Sequence, residues 1–253
     1  RIINEGFFDL GGIEILKGLQ ALFFGKNATA GVISIKTADP TDTFTVKARA
    51  GYEFKAQQAQ LEAAVSGPIG ENLGVRLAVR GSKMWGGYYH NESPVRNIFY
   101  GGNSYAAAPV DKDTPGEKEL LGRLTLKWEP TDNLTATFKV SGSRNEVESS
   151  SWNYVAYHCG LPSNHLQLAS EYTCSTSDFV THHNKMPLEV AAVQPFAKSD
   201  GRNYNLYRSF GATANIVYDL NDVNITSVTN YNWNNNRWAC ACDFQTTNFG
   251  VHA

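Results

Sequence analysis

The sequence predicts a chain dominated by β-structure, whose main part is a transmembrane antiparallel β-barrel represented by about seven strands. Apolar and polar residues alternate with period two over about 9 to 11 residues, the length that a tilted membrane strand needs. Short and long connections alternate, and aromatic residues lie near the strand ends. No apolar run approaches the roughly 18 residues of a membrane helix, so a helical membrane protein is excluded.

Composition narrows the remaining classes. The 253 residues carry a net charge of −2 and a pI near 6.3, so nothing favours nucleic acid as a partner. A mean hydropathy of −0.34 fits strands with one apolar and one polar face. No signal peptide opens the sequence, and we expect a fragment of a longer protein. No constellation of acid, base and nucleophile is recognisable, so neither an enzyme nor a cofactor is expected.

Seven alternating runs follow residue 40. The seventh is the least regular, because Val228 falls among its polar positions. The predicted strands are 44–52, 61–66, 75–82, 120–128, 134–141, 209–219 and 223–233. Their polar sides carry the cations Lys47, Arg49, Arg76, Arg80, Arg123, Lys127 and Lys139. In a wide barrel these cations would line the lumen; on a soluble sandwich they would form a solvated face. The regular alternation favours the barrel.

The connections between the runs are of two kinds. Short turns rich in Gly, Pro, Asn and Asp follow the second, fourth and sixth runs. Long connections occupy about 86–119 and 146–207. Every long connection therefore lies at one end of the sheet, as in outer-membrane barrels. Plugged outer-membrane barrels have about 22 strands, and seven strands cannot close a barrel of that size. We therefore expect an open, curved sheet with unpaired first and seventh strands.

The first 40 residues carry a different pattern. An apolar strand, IEILK, ends at a glycine; a compact turn follows; and a second glycine opens the β-branched strand VISIKT. This stretch resembles the end of the plug domain in TonB-dependent outer-membrane receptors, which commonly reads IEVLKGP, QGTLYGRNA and VINIVTK. Leu19 departs from the family pattern, in which proline is usual. The matching motif positions are Glu14, Lys17, Gly18, Gly25, Asn27 and Gly31.

The resemblance implies a fold and a function. Residues 1–40 would be the C-terminal part of an α+β plug domain, and residues 41–253 the N-terminal part of the barrel. Such receptors actively transport a bulky, scarce nutrient across the bacterial outer membrane. A ferric siderophore is the first candidate, followed by haem, cobalamin or a glycan. The implied partners are the lipid bilayer and the TonB–ExbB–ExbD energy-coupling complex, which would act through a segment not present here.

The resemblance also implies roles for side chains. Glu14 and Lys17 would form ion pairs with lumen charges such as Arg49 or Arg76, the alternative being that each is a solvated charge. Loop aromatics offer flat surfaces to a siderophore or sugar, although packing within the loops is the favoured interpretation for most of them. The ligand candidates are Trp85, Tyr88, Tyr89, His90, Tyr100, Tyr105, Trp152 and Tyr154.

The four cysteines, Cys159, Cys174, Cys240 and Cys242, lie in irregular polar segments. Their spacing suits zinc poorly, so disulfides are favoured and no metal site is predicted. A Cys159–Cys174 bond would contribute about 3 kcal/mol in the chain-entropy model. The pairing of Cys240 and Cys242 stays open.

Two other classes stay open as well. A passive porin-like channel needs no plug, so the motif in the first 40 residues argues against it. A secreted β-sandwich adhesin or carbohydrate-binding module predicts two stacked sheets and charges on both faces of the strands.

Overall fold

The computed structural model describes residues 7–20, 28, 30–148, 180–181 and 183–239. Within these ranges no helix has the length and apolar character needed to cross a membrane. The elements are β1 (Leu10–Lys17), β2 (Gly31–Thr37), β3 (Thr45–Glu53), β4 (Gln58–Pro68), β5 (Leu73–Met84), β6 (Tyr89–Asn91), β7 (Arg96–Tyr100), β8 (Asn103–Ala107), β9 (Asp113–Thr114), β10 (Glu117–Thr131), β11 (Leu134–Val147), β12 (Val180–Thr181), α1 (Leu188–Ala191), β13 (Tyr204–Asp219) and β14 (Asn224–Ala239).

Seven of these strands form one sheet in the order β14-β13-β11-β10-β5-β4-β3. All neighbours are antiparallel, so the sheet is a meander whose edges are β3 and β14. The turns 69–72, 132–133 and 220–223 lie at one end, and the long connections lie at the other. The predicted partial barrel of about seven strands is therefore confirmed.

One face of this sheet is apolar and uncovered. A single row crosses all seven strands in register: Val46, Val65, Leu77, Leu124, Val140, Ala212 and Tyr231. Leu77, on a central strand, is 51% exposed. Within the described ranges no second sheet packs on this face, whereas the β-sandwich alternative predicts two stacked sheets. Apolar area of this extent favours contact with lipid over contact with water.

The strands are longer than the alternation predicted. β11 continues to Val147 where the pattern ended at 141, and β14 continues to Ala239 where it ended at 233. The additional residues lie at the long-loop end and carry polar side chains on both faces. Backbone pairing does not need an apolar face, so the sheet continues where the alternating pattern has stopped.

Strands β1 and β2 form a separate antiparallel hairpin. Gly18 and Gly31 flank its turn, with φ of 84° and 148°. A Cβ on Gly31 would lie 2.6 Å from the carbonyl oxygen of Leu16, so this position requires glycine. We call residues 7–20 and 30–39 the N-terminal hairpin.

The long connections form a small unit of their own, here called the loop module. It contains β6 paired with β9 and β12, the β7–β8 hairpin and α1. Its apolar core is Ala107, Met186, Val190 and Ala191. These short strands were not predicted from the sequence, because each has only two to five residues and none shows sustained alternation.

Candidate functional site: the N-terminal hairpin on the polar face

The N-terminal hairpin lies against the polar face of the sheet. This face is built by the residues between the apolar positions of each strand, so it holds the predicted cations. In one row Arg49 is paired with Glu62 and Glu62 with Arg80. The segment just before β1 crosses this row and the neighbouring rows.

A buried ion pair joins the hairpin to the sheet. The Arg76 Nε donates to Asp9 Oδ1 at 3.1 Å and to Oδ2 at 2.9 Å, and its Nη2 also donates to Asp9. The two side chains are only 4% and 6% exposed. Bidentate geometry and burial make this contact stronger than an exposed pair. Asp9 has φ of 50°, a left-handed conformation that Asp and Asn tolerate better than most residues.

Glu62 extends this polar contact to β3. It accepts from the backbone N–H of Asp9 at 3.1 Å and from Arg49 Nη2 at 3.0 Å. Because the Arg49 side chain is 73% exposed, its pairing with Glu62 contributes little, about 0–1 kcal/mol. Glu62 therefore acts chiefly on the hairpin backbone.

Phe8 is the apolar anchor of the same segment. Its buried ring packs on the small residues Ala64 and Ala78 and on Leu121, which leave space on the polar face. The guanidinium of Arg123 lies 4.5 Å from the ring centroid, a cation–π contact. Two consecutive residues thus hold the hairpin in different ways, Phe8 by apolar packing and Asp9 by its ion pair with Arg76.

Other polar contacts lie on either side. Arg80 Nη1 donates to the Phe7 carbonyl at 2.9 Å, and its Nε lies 3.1 Å from Glu119 Oε1, an ion pair without hydrogen-bond geometry. Lys139 Nζ reaches Asp39 Oδ1 at 3.1 Å, at the far end of the hairpin. The sheet therefore contacts both ends of the N-terminal hairpin.

A cleft of about 600 Å³ lies beside the ion pair. Segment 7–11 forms one side, and β3 and β4 form the other. At about 30 Å³ per molecule this space accommodates on the order of 20 waters. The described interface between the hairpin and the sheet thus consists of localised contacts beside a cleft that water can fill.

The predicted motif residues occupy other places. Glu14 pairs with Lys36 at 2.6 Å inside the hairpin, so its expected pairing with Arg49 or Arg76 is wrong. Lys17 is exposed and forms no ion pair with another residue of the described ranges. Gly18 and Gly31 flank the hairpin turn, whereas Gly25 and Asn27 lie outside the described residues.

Phe8 and Asp9 were not among the predicted site residues, although Asp9 makes the contact with Arg76 that was expected of Glu14. Their signal was an aromatic–acidic pair directly before a predicted strand. This signal is weak by itself, because the partner cation is 67 positions away.

The predicted ligand aromatics are dispersed. Trp85 is 51% exposed and lies 6.4 Å from the Tyr52 ring, which belongs to the apolar outward face. Tyr100 and Tyr105 pack against the loop-module core. Others stay at the surface: Tyr88 is exposed, Tyr89 half-buried, and His90 Nδ1 lies 3.1 Å from Asp113 Oδ1. Trp152 and Tyr154 lie outside the described residues, as do Cys159, Cys174, Cys240 and Cys242.

Buried asparagines hold the two long connections together. Asn91 accepts from the His183 N–H at 2.8 Å and donates to the His183 carbonyl at 3.0 Å. Asn184 donates to the carbonyls of Pro94 and Ala107 at 2.8 and 2.9 Å and accepts from Ser93. The bonds of Asn91 to the His183 N–H and of Asn184 to the Ala107 carbonyl give buried backbone groups a partner. The two connections therefore pack as one unit.

An ion pair also links these connections at the surface. The hydrogen bond with the Asp111 carboxylate raises the pKa of the Arg202 guanidinium above its ordinary value. Arg202 is thus cationic at every physiological pH.

Within the described ranges no cluster of three or more His, Cys, Asp or Glu side chains is placed to hold a metal ion.

Comparison with solved structures identifies the fold. The chain matches the ferric yersiniabactin uptake receptor FyuA from Yersinia pestis with a TM-score of 0.54 and 14% identity, over 92% of this chain and 29% of that one. It matches the siderophore receptor PirA from Acinetobacter baumannii at 0.51 and 19%, over 88% and 26%. A mutant of the ferric enterobactin receptor PfeA from Pseudomonas aeruginosa matches at 0.51 and 15%, over 90% and 28%. No protein-family model matches the sequence.

The chain thus spans less than a third of the length of these receptors. Across that span it has the fold of a TonB-dependent outer-membrane receptor fragment. The resemblance predicted from the first 40 residues is confirmed at the level of the fold.

Proposed function

We propose that this chain is part of a TonB-dependent receptor that takes up a bulky, scarce nutrient across the bacterial outer membrane. Residues 1–40 are the C-terminal part of the plug and residues 41–253 the N-terminal part of the barrel wall. The observation that carries the proposal is the contrast between the two faces of one open sheet. One face holds the N-terminal hairpin through the Asp9–Arg76 pair, and the other exposes a continuous apolar surface.

The contacts of the hairpin support energy-coupled transport. The outer membrane has no energy source of its own, so uptake against a gradient needs force from elsewhere. In this proposal the TonB–ExbB–ExbD complex pulls on the plug, and the hairpin separates from the sheet. Apart from the Phe8 ring, the described interface consists of localised polar contacts beside a cleft of about 600 Å³, so separation of the hairpin exposes one small apolar cluster.

A ferric siderophore is the proposed ligand, because three solved structures that share the fold are described as siderophore or ferric-siderophore receptors. The loop module is the proposed ligand-contact region, since it joins both long connections at one end of the sheet. Tyr88 is exposed and His90 partly exposed there, within reach of a ligand arriving from outside. The function is transport and not catalysis.

A passive porin-like channel is the less favoured alternative. It would need an unobstructed lumen, whereas here Phe8 and Asp9 hold the hairpin against the polar face.

Uptake of iron tests the proposal. The complete receptor containing this chain is expressed in a strain lacking its own siderophore receptors, with and without TonB. A panel of ferric siderophores, haem, cobalamin and glycans is offered in labelled form. We expect accumulation of at least one ferric siderophore only when TonB is present. TonB-independent passage of small solutes would support the porin alternative, and TonB-dependent uptake of another ligand alone would replace the siderophore.

A further inference from the structure

Above the apolar rows, at the long-loop end, the outward positions of five adjacent strands carry cations. The register pairs Lys83 of β5 with Lys118 of β10, and Arg144 of β11 with Arg208 of β13. Arg237 of β14 is paired with Leu206 in the row beyond Arg208. We call these five residues the basic belt. Its members lie far apart in the sequence, and the register of the sheet brings them together.

The belt has an excess of positive charge. On the same face lie the carboxylates of Glu146 and Glu148, of which Glu146 pairs with Arg144 at 3.1 Å and Glu148 with Lys118. None of the carboxylates in the described ranges forms an ion pair with the remaining three cations, Lys83, Arg208 and Arg237; of these, Lys83 and Arg237 lie over the Trp85 and Phe196 rings.

Two of the cross-strand pairs are of like charge. Lys83 faces Lys118, and Arg144 faces Arg208, at directly opposite positions of neighbouring strands. Like charges in such positions destabilise a sheet unless a counter-charge lies between them. In each pair one member, Lys118 or Arg144, already has a carboxylate partner, so an anion that contacts Lys83 and Arg208 would supply the counter-charge of the other member.

The location of the belt indicates where that anion comes from. Arg208 is two residues from Phe210, which is paired with Trp233 on the apolar face. Lys83 lies 5.6 Å from the Trp85 ring. Aromatic rings of this kind occupy the interface between hydrocarbon and water. Two residues along a strand span about 7 Å, so the belt lies about 7 Å beyond these aromatic rings, at the depth of lipid headgroups.

We propose that the basic belt binds the phosphate groups of anionic lipid headgroups in the membrane leaflet at the long-loop end. Cations near an anionic leaflet attract such headgroups, and guanidinium groups match phosphate oxygens in geometry. Bound headgroups would neutralise the like-charge pairs and set the depth of the barrel in the membrane. This inference rests on the proposed function, because it needs the apolar face to lie in lipid.

Tryptophan quenching tests it on the complete receptor that contains this chain, reconstituted in phosphatidylcholine vesicles. Brominated phosphatidylcholine first shows whether the outward tryptophans contact acyl chains. A trace of brominated phosphatidic acid in unlabelled phosphatidylcholine then measures the preference for the anionic lipid. The test variant combines Lys83→Gln, Arg208→Gln and Arg237→Gln. The control combines Lys47→Gln, Lys112→Gln and Lys127→Gln, which removes the same charge away from the belt.

We expect the unchanged chain and the control variant to prefer phosphatidic acid, and the preference to weaken with salt. In the triple belt variant the preference for phosphatidic acid should fall by roughly 100-fold, because each cation contributes about fivefold. If that variant does not insert, the single Arg208→Gln variant should show about a fivefold loss. If the protein inserts but shows no preference for phosphatidic acid, or if the belt variants keep the preference unchanged, the inference is overturned and the proposed function is not. Displacement of phosphatidic acid by inorganic phosphate at equal affinity reassigns the belt to a soluble anion and also overturns it. No quenching by brominated phosphatidylcholine overturns the proposed function as well.

Discussion

Replacing Asp9 by asparagine removes the negative charge that is hydrogen-bonded to Arg76 while keeping the shape of the side chain. Asparagine also tolerates the left-handed backbone at this position, φ 50°, so the substitution adds little backbone strain. Arg76 stays 4% exposed and loses its charged partner. Breaking a buried pair in this way costs about 3–5 kcal/mol. We expect the lower end, because the carboxylate of Asp39 also acts electrostatically on Arg76.

Hydrogen exchange at the backbone amide of residue 9 measures this cost. That amide donates to Glu62 only while the N-terminal hairpin is in place, so its exchange reports separation of the hairpin from the sheet. A loss of about 3 kcal/mol corresponds to exchange that is faster by on the order of 100-fold. The double variant Asp9→Asn with Arg76→Gln should recover most of the protection, because no unpaired charge remains buried.

Glu14→Gln is the matched control. It breaks the Glu14–Lys36 pair, whose side chains are 51% and 64% exposed, and should change exchange by less than about fivefold. If Asp9→Asn had an effect as small as the control, the pair would behave as an exposed one. The assignment of these two residues as the principal polar contact of the hairpin would then be refuted.

Three further predictions concern the hairpin, the apolar face and the loop module. Gly31→Ala should destabilise the β1–β2 hairpin by about 1–3 kcal/mol, because a Cβ there meets backbone, and protease sensitivity would report it. Leu124→Arg should cost about 2–4 kcal/mol in lipid, because it places a charge in the middle of the apolar row, and urea unfolding from vesicles would measure it. Asn184→Ala should remove the hydrogen bonds to the Pro94 and Ala107 carbonyls, of which the second is buried, at about 1–3 kcal/mol, measured as faster amide exchange in the loop module.

Each has a control or a contradicting result. Gly12→Ala meets nothing within 4 Å and should be harmless to the hairpin; equal damage from both glycine substitutions would contradict the steric reason. Ser141→Arg lies on the polar face and should be tolerated in vesicles. If it destabilised the sheet as much as Leu124→Arg, the apolar face would not be in lipid while the polar face is in water. Unchanged exchange in Asn184→Ala would show that the long connections are held by other contacts.

Local pattern was sufficient for the strands and their faces. Leu124 and Leu126 alternate with Arg123 and Thr125, and the sheet places the leucines on one face and the polar pair on the other. Backbone geometry in a strand imposes this period of two, so it can be predicted without knowing the neighbours. Val228, which broke the pattern, does lie on the polar side, opposite Asn215.

Pairing between distant residues could not be predicted in this way. The contact of Ser93 with Asn184 spans 91 positions, and nothing near either residue indicates the other. The same holds for the basic belt, because the register between strands determines which cations become neighbours. The strand extensions were missed because their side chains are polar on both faces, which removes the signal while leaving the backbone bonds intact.

The sequence by itself determined the antiparallel membrane-type sheet, its apolar side, the end that carries the long connections and the resemblance of the first strands to a receptor plug. Each of these follows from local periodicity, turn composition or a short motif. Only the tertiary structure decided that Asp9 rather than Glu14 contacts Arg76, that the long connections join through asparagines, and that five cations lie side by side. Those outcomes depend on which strands meet and in what register, and the free energy of such contacts belongs to the pair and not to either residue alone.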